Sequence, residues 1–534
     1  MNRSFRQVCD KPCANGIIQT QWSPYHDLIA VITGNGDIRL HRMHWQKVWT
    51  ISPKESPAVC CSWKCDGKLL AVGHGNGDVS IIEIEKAACV HSLKHSSKVT
   101  SLSWEQASSS SVNDETPIEK LHEDFLPQIR KEELLCDLMR GDTMSSEFGH
   151  QCYLTVGTSD GSVHVYLDGV LQVLEIPLSK YPVQFREHSI TSTHLCTDSG
   201  ILTVLSKSQT ELVDGHSCYV HRFQVKHLCE LSKELYLLSQ AYTKLYFLVQ
   251  RCQKVLKQMS DSSEDISLKI NSKLEKLEKL VDATESSVSA EFTIAYATGE
   301  TSAELDTFLT QNLTSKGLKQ IEQSVQLAYS SMHSDITEEI ELLVQHVMVY
   351  FLQIYGMSKW TERYRHLGLS EHLVLECFRK LGVFAMRVLK LLEVICSDME
   401  EFSIFFSWLT CLCFQVSGEA QANFPQLSFK DYDVMLDFLE NRLLKSSRGA
   451  YNLERISQFF IDDDETTITS TTNTATTTNP PPPPTDQNHQ QSSPSWFEYV
   501  NNNEFLKDCP LIIVPDNTTT VSYTHLTLPT ICSV

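Results

Sequence analysis

The sequence predicts a β + α multidomain chain: a partial β-propeller followed by a long α-helical bundle. Three observations carry this. A 41-residue repeat runs through the N-terminal hundred residues, the apolar period changes from strand-like to helix-like at Lys226, and a low-complexity linker follows residue 460.

The repeat comes first. Trp22-Ser-Pro-Tyr-His-Asp-Leu-Ile-Ala-Val-Ile-Thr-Gly-Asn-Gly-Asp-Ile-Arg-Leu returns as Trp63-Lys-Cys-Asp-Gly-Lys-Leu-Leu-Ala-Val-Gly-His-Gly-Asn-Gly-Asp-Val-Ser-Ile, and 41 further residues lead to Trp104. A period of about 40–45 residues with several short strands per unit is the signature of propeller blades. Leu28–Ile32 and Leu69–Val72 are continuous apolar runs, as expected of strands covered on both faces. Asn35-Gly36 and Asn76-Gly77 supply the positive φ of tight hairpins. Alternating strands, Ile38–His41 and Val79–Ile82, come after them.

A third unit starts at Trp104 and is interrupted by a polar, acidic insertion at 105–150, with a short helix expected near Lys131–Met139. It resumes at Tyr153–Tyr166 with an Asp160-Gly161 turn. A fourth unit is expected from strands near Gln172–Ile176, Gly200–Leu205 and Cys218–Val225. Four blades are the lower limit of known propellers, so residues 1–225 read as an unfinished ring.

From Lys226 the apolar residues fall three and four apart: Leu228, Leu231, Leu235, Leu238, Tyr242, Leu245 and Val249. This is the stripe of a helix. A second helical region is expected around Ile270–Ala297. A third runs from Leu318 to Ile354 for about ten turns, and a fourth from Val374 to Ile395, with Ser370 as its N-cap. Further helices near Glu401–Val416 and Lys430–Leu444 complete a bundle over 226–460. Residues 461–494 read as a disordered acidic, Thr-rich and Pro-rich linker. Residues 495–520 carry short apolar islands, Trp496–Val500 and Leu511–Val514. The segment 521–534 resembles a translated sequencing-adaptor tail, so the native chain is expected to continue beyond about 520.

The net charge of −21, from 45 basic and 66 acidic residues, argues against nucleic acid or an anionic membrane as the main partner. The start of the chain shows no charged-then-apolar signal pattern. The longest uncharged apolar stretch, Phe402–Val416, is shorter than a membrane span and reads as a buried helix. The 18 cysteines are scattered. Cys60-Cys61, Cys411-x-Cys413 and Cys9-x-x-x-Cys13 lack partner pairs at ligand spacing, and reduced thiols are expected.

No constellation supports catalysis. Gly34-x-Gly36 and Gly73-x-Gly75-x-Gly77 resemble phosphate loops, but such loops must open a helix, and here a strand follows. Gly157-Thr-Ser159-Asp-Gly161 matches a nucleophile elbow, which also needs a strand-to-helix turn, whereas Ser162–Tyr166 continues as a strand. His41 and His44 flank a strand end. His91 and His95 stand four apart without a further ligand at zinc spacing. Trp360, Tyr364 and His366 precede the turn Leu367-Gly368-Leu369 and read as a packed helix junction. No catalytic, cofactor-binding or metal residues are therefore expected, and no cofactor.

Several stretches together resemble the family of subunit four of the anaphase-promoting complex, or cyclosome. They include Trp22-Ser-Pro-x-x-Asp-Leu-Ile-Ala30, Asp66–Ala71, Ser302-Ala-Glu-Leu-Asp-Thr-Phe-Leu309, Leu313-Thr-x-Lys-Gly-Leu-Lys319 and Tyr329–Ser331. Trp360-x-x-x-Tyr364-x-x-Leu-Gly-Leu369, Tyr451-Asn-Leu-Glu-Arg-Ile456, Trp496–Tyr499 and Leu506–Leu511 complete the set. The blade start alone is common to WD40-like repeats; the helical stretches are more specific. The resemblance implies that the bundle is inserted into a WD40-like propeller whose C-terminal part starts at 495–520 and whose remaining blades are missing here. It also implies a non-catalytic scaffold of a cell-cycle ubiquitin ligase, present in nucleus and cytoplasm. The implied partners are the largest scaffold subunit, subunit five and the tetratricopeptide-repeat subunits, with no nucleic acid, membrane or small-molecule substrate. A vesicle-coat or transport scaffold, which also joins propellers to helices, is the alternative; it would favour helix-pair repeats, and none is evident.

Overall fold

The computed structural model describes residues 13, 15–53, 55–107, 151–180, 188–209, 216–281, 286–418, 429–444, 451, 453, 455, 456, 459 and 524–526. The expected helix near Lys131–Met139, most of the 105–150 insertion, the linker and the islands at 495–520 lie outside these residues. The chain divides into two compact units. One comprises residues 1–247, 349–375 and 503–534, the other 248–348 and 376–502.

The first unit holds four antiparallel four-stranded sheets. The first is β1 (Ile17–Trp22), β2 (Leu28–Thr33), β3 (Ile38–Arg42) and β4 (Lys47–Ile51). The second is β5 (Ala58–Trp63), β6 (Leu69–His74), β7 (Asp78–Glu83) and β8 (Ala88–Lys94). Each repeat is thus one meander, and Gly36 and Gly77 take φ of 81° and 99° in the turns where Asn-Gly places them. The third sheet spans the insertion. In it β9 (Val99–Gln106) pairs with β10 (Cys152–Thr158), with Trp104 opposite Leu154 and Gln106 opposite Cys152.

β11 (Ser162–Leu167) and β12 (Leu171–Pro177) complete that sheet. The run Gln172–Ile176 therefore belongs to the third blade and not to a fourth unit. Asp168-Gly169, at φ of 51° and 76°, makes the tight turn that folds it back on β11. The fourth sheet opens instead with β13 (His188–Cys196), a strand too polar to be read from sequence. It continues through β14 (Ile201–Gln209) and β15 (His216–Gln224). Its outer strand β16 (Thr524–Leu526) comes from the adaptor-like segment and pairs with Cys218–Val220.

Blade-to-blade bonds follow the repeat. Trp63 Nε1 donates to Gln21 O at 3.0 Å, Cys61 N donates to Gln19 Oε1 at 2.8 Å, and Trp104 N donates to Ser62 Oγ at 3.1 Å. Each joins residues 42 apart, one repeat plus one position. Ala30, Ile32, Leu40, Trp63, Leu70, Val72 and Ile82 form the core between the first two blades. Packing runs from first to second, second to third and third to fourth sheet. Among the described residues no extended first-to-fourth contact closes a ring.

Helices begin at Lys226, as the change of period predicts, with α1 (Lys226–Glu230) and α2 (Ser232–Val281). Within the first unit they lie on the blades. Tyr153 OH donates to Leu228 O at 3.3 Å, Ser239 Oγ donates to Asp168 at 3.3 Å, and His91 meets Tyr246 edge-on at 5.0 Å. The 50-residue α2 runs unbroken through the polar stretch before Ile270, so the two helical regions expected at 228–249 and 270–297 are joined. The break falls after Val281, where α3 (Val288–Thr298) starts from an N-cap, Ser287 Oγ accepting from Ala290 N at 3.1 Å.

The second unit is a helical bundle. α4 (Ala303–Thr307) is capped by Ser302 and runs into a π-turn at Phe308–Leu313. α5 (Ser315–Ser334), a π-turn at Asp335–Ile340 and α6 (Glu341–Lys359) form one continuous rod, the ten-turn helix of the sequence. That rod is long and apolar enough to cross a bilayer by length and composition, with mean hydropathy 1.3 in its most apolar window. Its apolar residues Leu318, Val325, Met332, Ile336, Ile340, Leu343 and Val347 are buried as bundle core. Residues 349–375, which belong to the first unit, hold the end of α6, α7 (Thr361–Tyr364) and a turn with Gly368 at φ 66°, and α8 (Glu371–Ser417) follows. α8 unites the helices expected at 374–395 and 401–416; between them the chain stays helical, with Asp398 buried in the bundle. α9 (Phe429–Asp437) continues into a π-turn at Phe438–Arg442. Phe292, Phe405 and Phe438 pack together, with Phe405 and Phe438 centroids 4.7 Å apart.

Candidate functional site

The residues that sequence singled out for chemistry are placed as parts of blades. Gly34 and Gly36 lead into β3, and Gly73, Gly75 and Gly77 into β7, so no helix N-terminus stands behind either loop. A Cβ on Gly73 would come within 2.6 Å of Val99, which shows that this glycine serves close strand packing. Ser159 lies in the β10–β11 hairpin, where its N–H donates to Lys98 O at 2.8 Å and Gly161 turns at φ 83°.

The histidines are dispersed. His41 stacks on Trp45 at 4.8 Å. His91 is buried against Tyr246 and Phe247, and burial lowers its pKa to about 4. His95 faces elsewhere, within hydrogen-bond distance of Gly77 O and Tyr166 OH, both at 3.0 Å. Burial, then the neighbouring His164, bring it to about 4 as well. Among the described residues no group of three or more His, Cys, Asp or Glu is arranged to hold a metal ion. Of the helix-junction residues, Tyr364 is buried while Trp360 is half exposed with the Arg363 guanidinium over its ring at 5.2 Å. Arg363 also pairs with Glu234 at 2.7 Å.

Two polar clusters escaped the sequence. In the first unit a hydrogen bond with Cys152 holds the Cys65 thiol below its ordinary range, and that bond together with burial pushes Cys152 up. Their separation of 87 positions along the chain gives no local signal. In the second unit, Asp398 has no solvent exposure and is gripped by Arg442 and Arg455, with Tyr329 OH donating to its other oxygen at 3.2 Å. Glu401 accepts from Arg442 at 2.9 Å and from Arg455 at 2.8 Å. Burial raises the Asp398 pKa against the pull of the two arginines. Glu401 is only partly buried, and Arg442 holds it below the ordinary carboxylate value. Both acids are fully engaged within the bundle, which makes this a structural lock.

Residues 219–419 match the family model described as "Anaphase-promoting complex, cyclosome, subunit 4", and residues 20–107 match "Anaphase-promoting complex subunit 4 WD40 domain". The chain belongs to the anaphase-promoting complex subunit 4 family. It is 26% identical over 540 residues to the anaphase-promoting complex subunit 4 proteins of Mus musculus and Homo sapiens. The alignment covers 95% of this chain and 62% of each relative's length.

The stretches that carry the family resemblance have physical roles here. Ser302 and Thr314 cap helices, Thr314 Oγ1 accepting from Gly317 N at 3.3 Å. Gly368 provides the left-handed turn before α8. Tyr329 and Arg455 both close on Asp398. These residues thus fix helix ends and helix-to-helix geometry within the bundle.

Proposed function

We propose that this subunit 4 family member is a non-catalytic scaffold of the anaphase-promoting complex, helping to assemble the platform of that cell-cycle ubiquitin ligase in nucleus and cytoplasm. Residues 1–225 act as its WD40-like part and 226–460 as its helical part. No residue of the chain takes part in bond-making, and it uses no cofactor. Its neighbours are the largest scaffold subunit, subunit five and the tetratricopeptide-repeat subunits. The observation that carries this reading is the family match over 219–419, the part with the most specific sequence.

The mechanism is spatial. A stable contact buries on the order of 1,200–2,000 Å², and rigid surfaces of that size fix the distance between substrate-recognition and catalytic modules. Detaching the chain lowers ligase output without touching a reacting group.

Affinity purification of the tagged chain from dividing cells, followed by mass spectrometry, tests this. Cullin-like, RING and tetratricopeptide-repeat subunits are expected in constant ratio to the bait. A folded bait that elutes without them refutes the proposal.

A further inference from the structure

Two thiols meet where the second blade touches the third. Cys65 lies in the β5–β6 turn, which is held in shape by Gly67 N donating to Lys64 O and Lys68 N donating to Asp66 Oδ1, both at 2.9 Å. Cys152 opens β10, where its N–H donates to Asp168 Oδ1 at 3.2 Å and its carbonyl accepts from Asp168 N at 2.8 Å. The backbone on each side is thus fixed, and the two thiols are hydrogen-bonded to each other. Cys65 is partly exposed and Cys152 is buried, so an oxidant arriving from solvent meets Cys65 first. The bond from the Cys152 thiol favours a thiolate at Cys65 and outweighs burial and the carboxylates of Glu105 and Asp66, with the Lys64 ammonium assisting. At buried Cys60, Cys61 and Cys252, burial instead pushes the thiol up to about 12, which makes it inert.

An accessible thiol hydrogen-bonded to a buried one is the arrangement of a peroxide-sensitive pair, in which one sulfur attacks and the other resolves. We propose that Cys65 is an oxidative modification site of this chain, with hydrogen peroxide as the oxidant and Cys152 as the resolving thiol. The Cys65 sulfur takes one oxygen as the O–O bond breaks, giving a sulfenic acid and one water. The Cys152 sulfur then displaces that hydroxyl, which takes the Cys152 proton and leaves as a second water. Two thiols lose two electrons to form the disulfide, and one peroxide is reduced to two waters. Cys152 stands opposite Gln106, and Ala107 N donates to Gln151 O at 2.8 Å, so the bridge ties the root of the 105–150 insertion to the second blade. This site does not depend on the scaffold reading.

The test titrates the reduced full chain with hydrogen peroxide, blocks remaining thiols with N-ethylmaleimide and maps peptides by mass spectrometry without reductant. The expected product is a peptide pair joined through Cys65 and Cys152 that dithiothreitol separates. With dimedone present, Cys152→Ser should trap the sulfenic acid as an adduct on Cys65. Cys65→Ser should lower the oxidation of Cys152 about tenfold or more, since the attacking sulfur is gone. The proposal is overturned if the joined pair is absent at a peroxide concentration that already oxidises the partly exposed Cys196. It is equally overturned if Cys65 is bridged to a different cysteine, or if Cys152 oxidises as readily without Cys65. An equal yield of the pair from the urea-unfolded chain also overturns it, because the fold would then not direct the bond. The wild-type chain alone decides three of these outcomes, so a variant that fails to fold does not protect the proposal.

Discussion

Arg442 buries its guanidinium against Asp398, a side chain with no solvent exposure, 44 positions away in the chain. Arg455 reaches an oxygen of the same carboxylate from beyond the last helix, so two cations converge on one buried anion. Arg442 also donates to the Leu453 carbonyl at 3.3 Å, which holds Leu453 against the bundle.

Removing one partner strands the other. Arg442→Met should destabilise the helical bundle by about 3–5 kcal/mol, because Asp398 stays buried with less compensation. Arg455 is one-third exposed, and Arg455→Ala should cost less, about 1–3 kcal/mol. The double change Asp398→Leu with Arg442→Leu should cost less than Arg442→Met alone. Hydrogen exchange of the amides of 376–417 is the local readout. Equal protection in wild type and Arg442→Met would contradict the ion-pair assignment.

The tryptophan repeat provides a second test. Trp22 and Trp63 hold equivalent positions, yet Trp22 is 55% exposed and Trp63 only 4%. The difference comes from the neighbouring blade: Trp63 is clasped by the first sheet through Gln21, whereas nothing described covers Trp22. In the isolated chain Trp63→Ala should cost about 3–5 kcal/mol, and Trp22→Ala less than about 1 kcal/mol. Denaturant midpoints of the two variants decide it. Similar losses would mean that burial at these positions is not set by blade contacts.

The elements legible in the sequence were those with a local cause. The 41-residue step, the Asn-Gly turns and the 3,4 apolar spacing each act within a few residues, and strands and helices formed where they indicated. What was misread depended on distant partners. The Cys396-Ser-Asp-Met-Glu400 run looks like a helix break until Arg442 and Arg455 arrive to neutralise Asp398. β13 looks like a loop until Thr193 finds Thr155 at 2.9 Å and Ser101 at 3.4 Å. The exposure of Val383, Met386 and Leu389 on α8 was hidden for a different reason, since they carry the same apolar signal as core residues.

Acid should loosen the blades through their buried histidines. His91 has an ordinary pKa of 6.5 and is brought to about 4 by burial. The unfolded chain therefore binds a proton between those values that the folded chain refuses. The stability this contributes is complete above pH 6.5 and is lost as pH falls toward 4, up to roughly 3 kcal/mol. Tyr246 and Phe247 face the ring and offer no carboxylate to offset the charge. His95 and His164, also brought to about 4, act in the same direction. Denaturation midpoints measured from pH 7 to 4 should fall less steeply for His91→Phe than for wild type. Parallel slopes would show that His91 is solvated.

Two glycines should respond oppositely to alanine. Gly77 turns at φ 99°, and a Cβ there would lie 2.4 Å from His95 O and 2.9 Å from Ser97 O. Both atoms are backbone, and His95 N already donates to Gly77 O at 3.1 Å, so the neighbour has little room to yield. Gly77→Ala should cost at least about 2 kcal/mol from the left-handed backbone and the clash together. Gly356 lies inside α6 with nothing within 4 Å of a new Cβ. Gly356→Ala should stabilise by about 0.5–1 kcal/mol, because alanine loses less backbone freedom on becoming helical. Thermal unfolding of the two variants gives the signs directly. A destabilising Gly356→Ala would mean that the α6 backbone there departs from helix or meets a neighbour closely, and the single rod from Ser315 to Lys359 would have to be broken at that point.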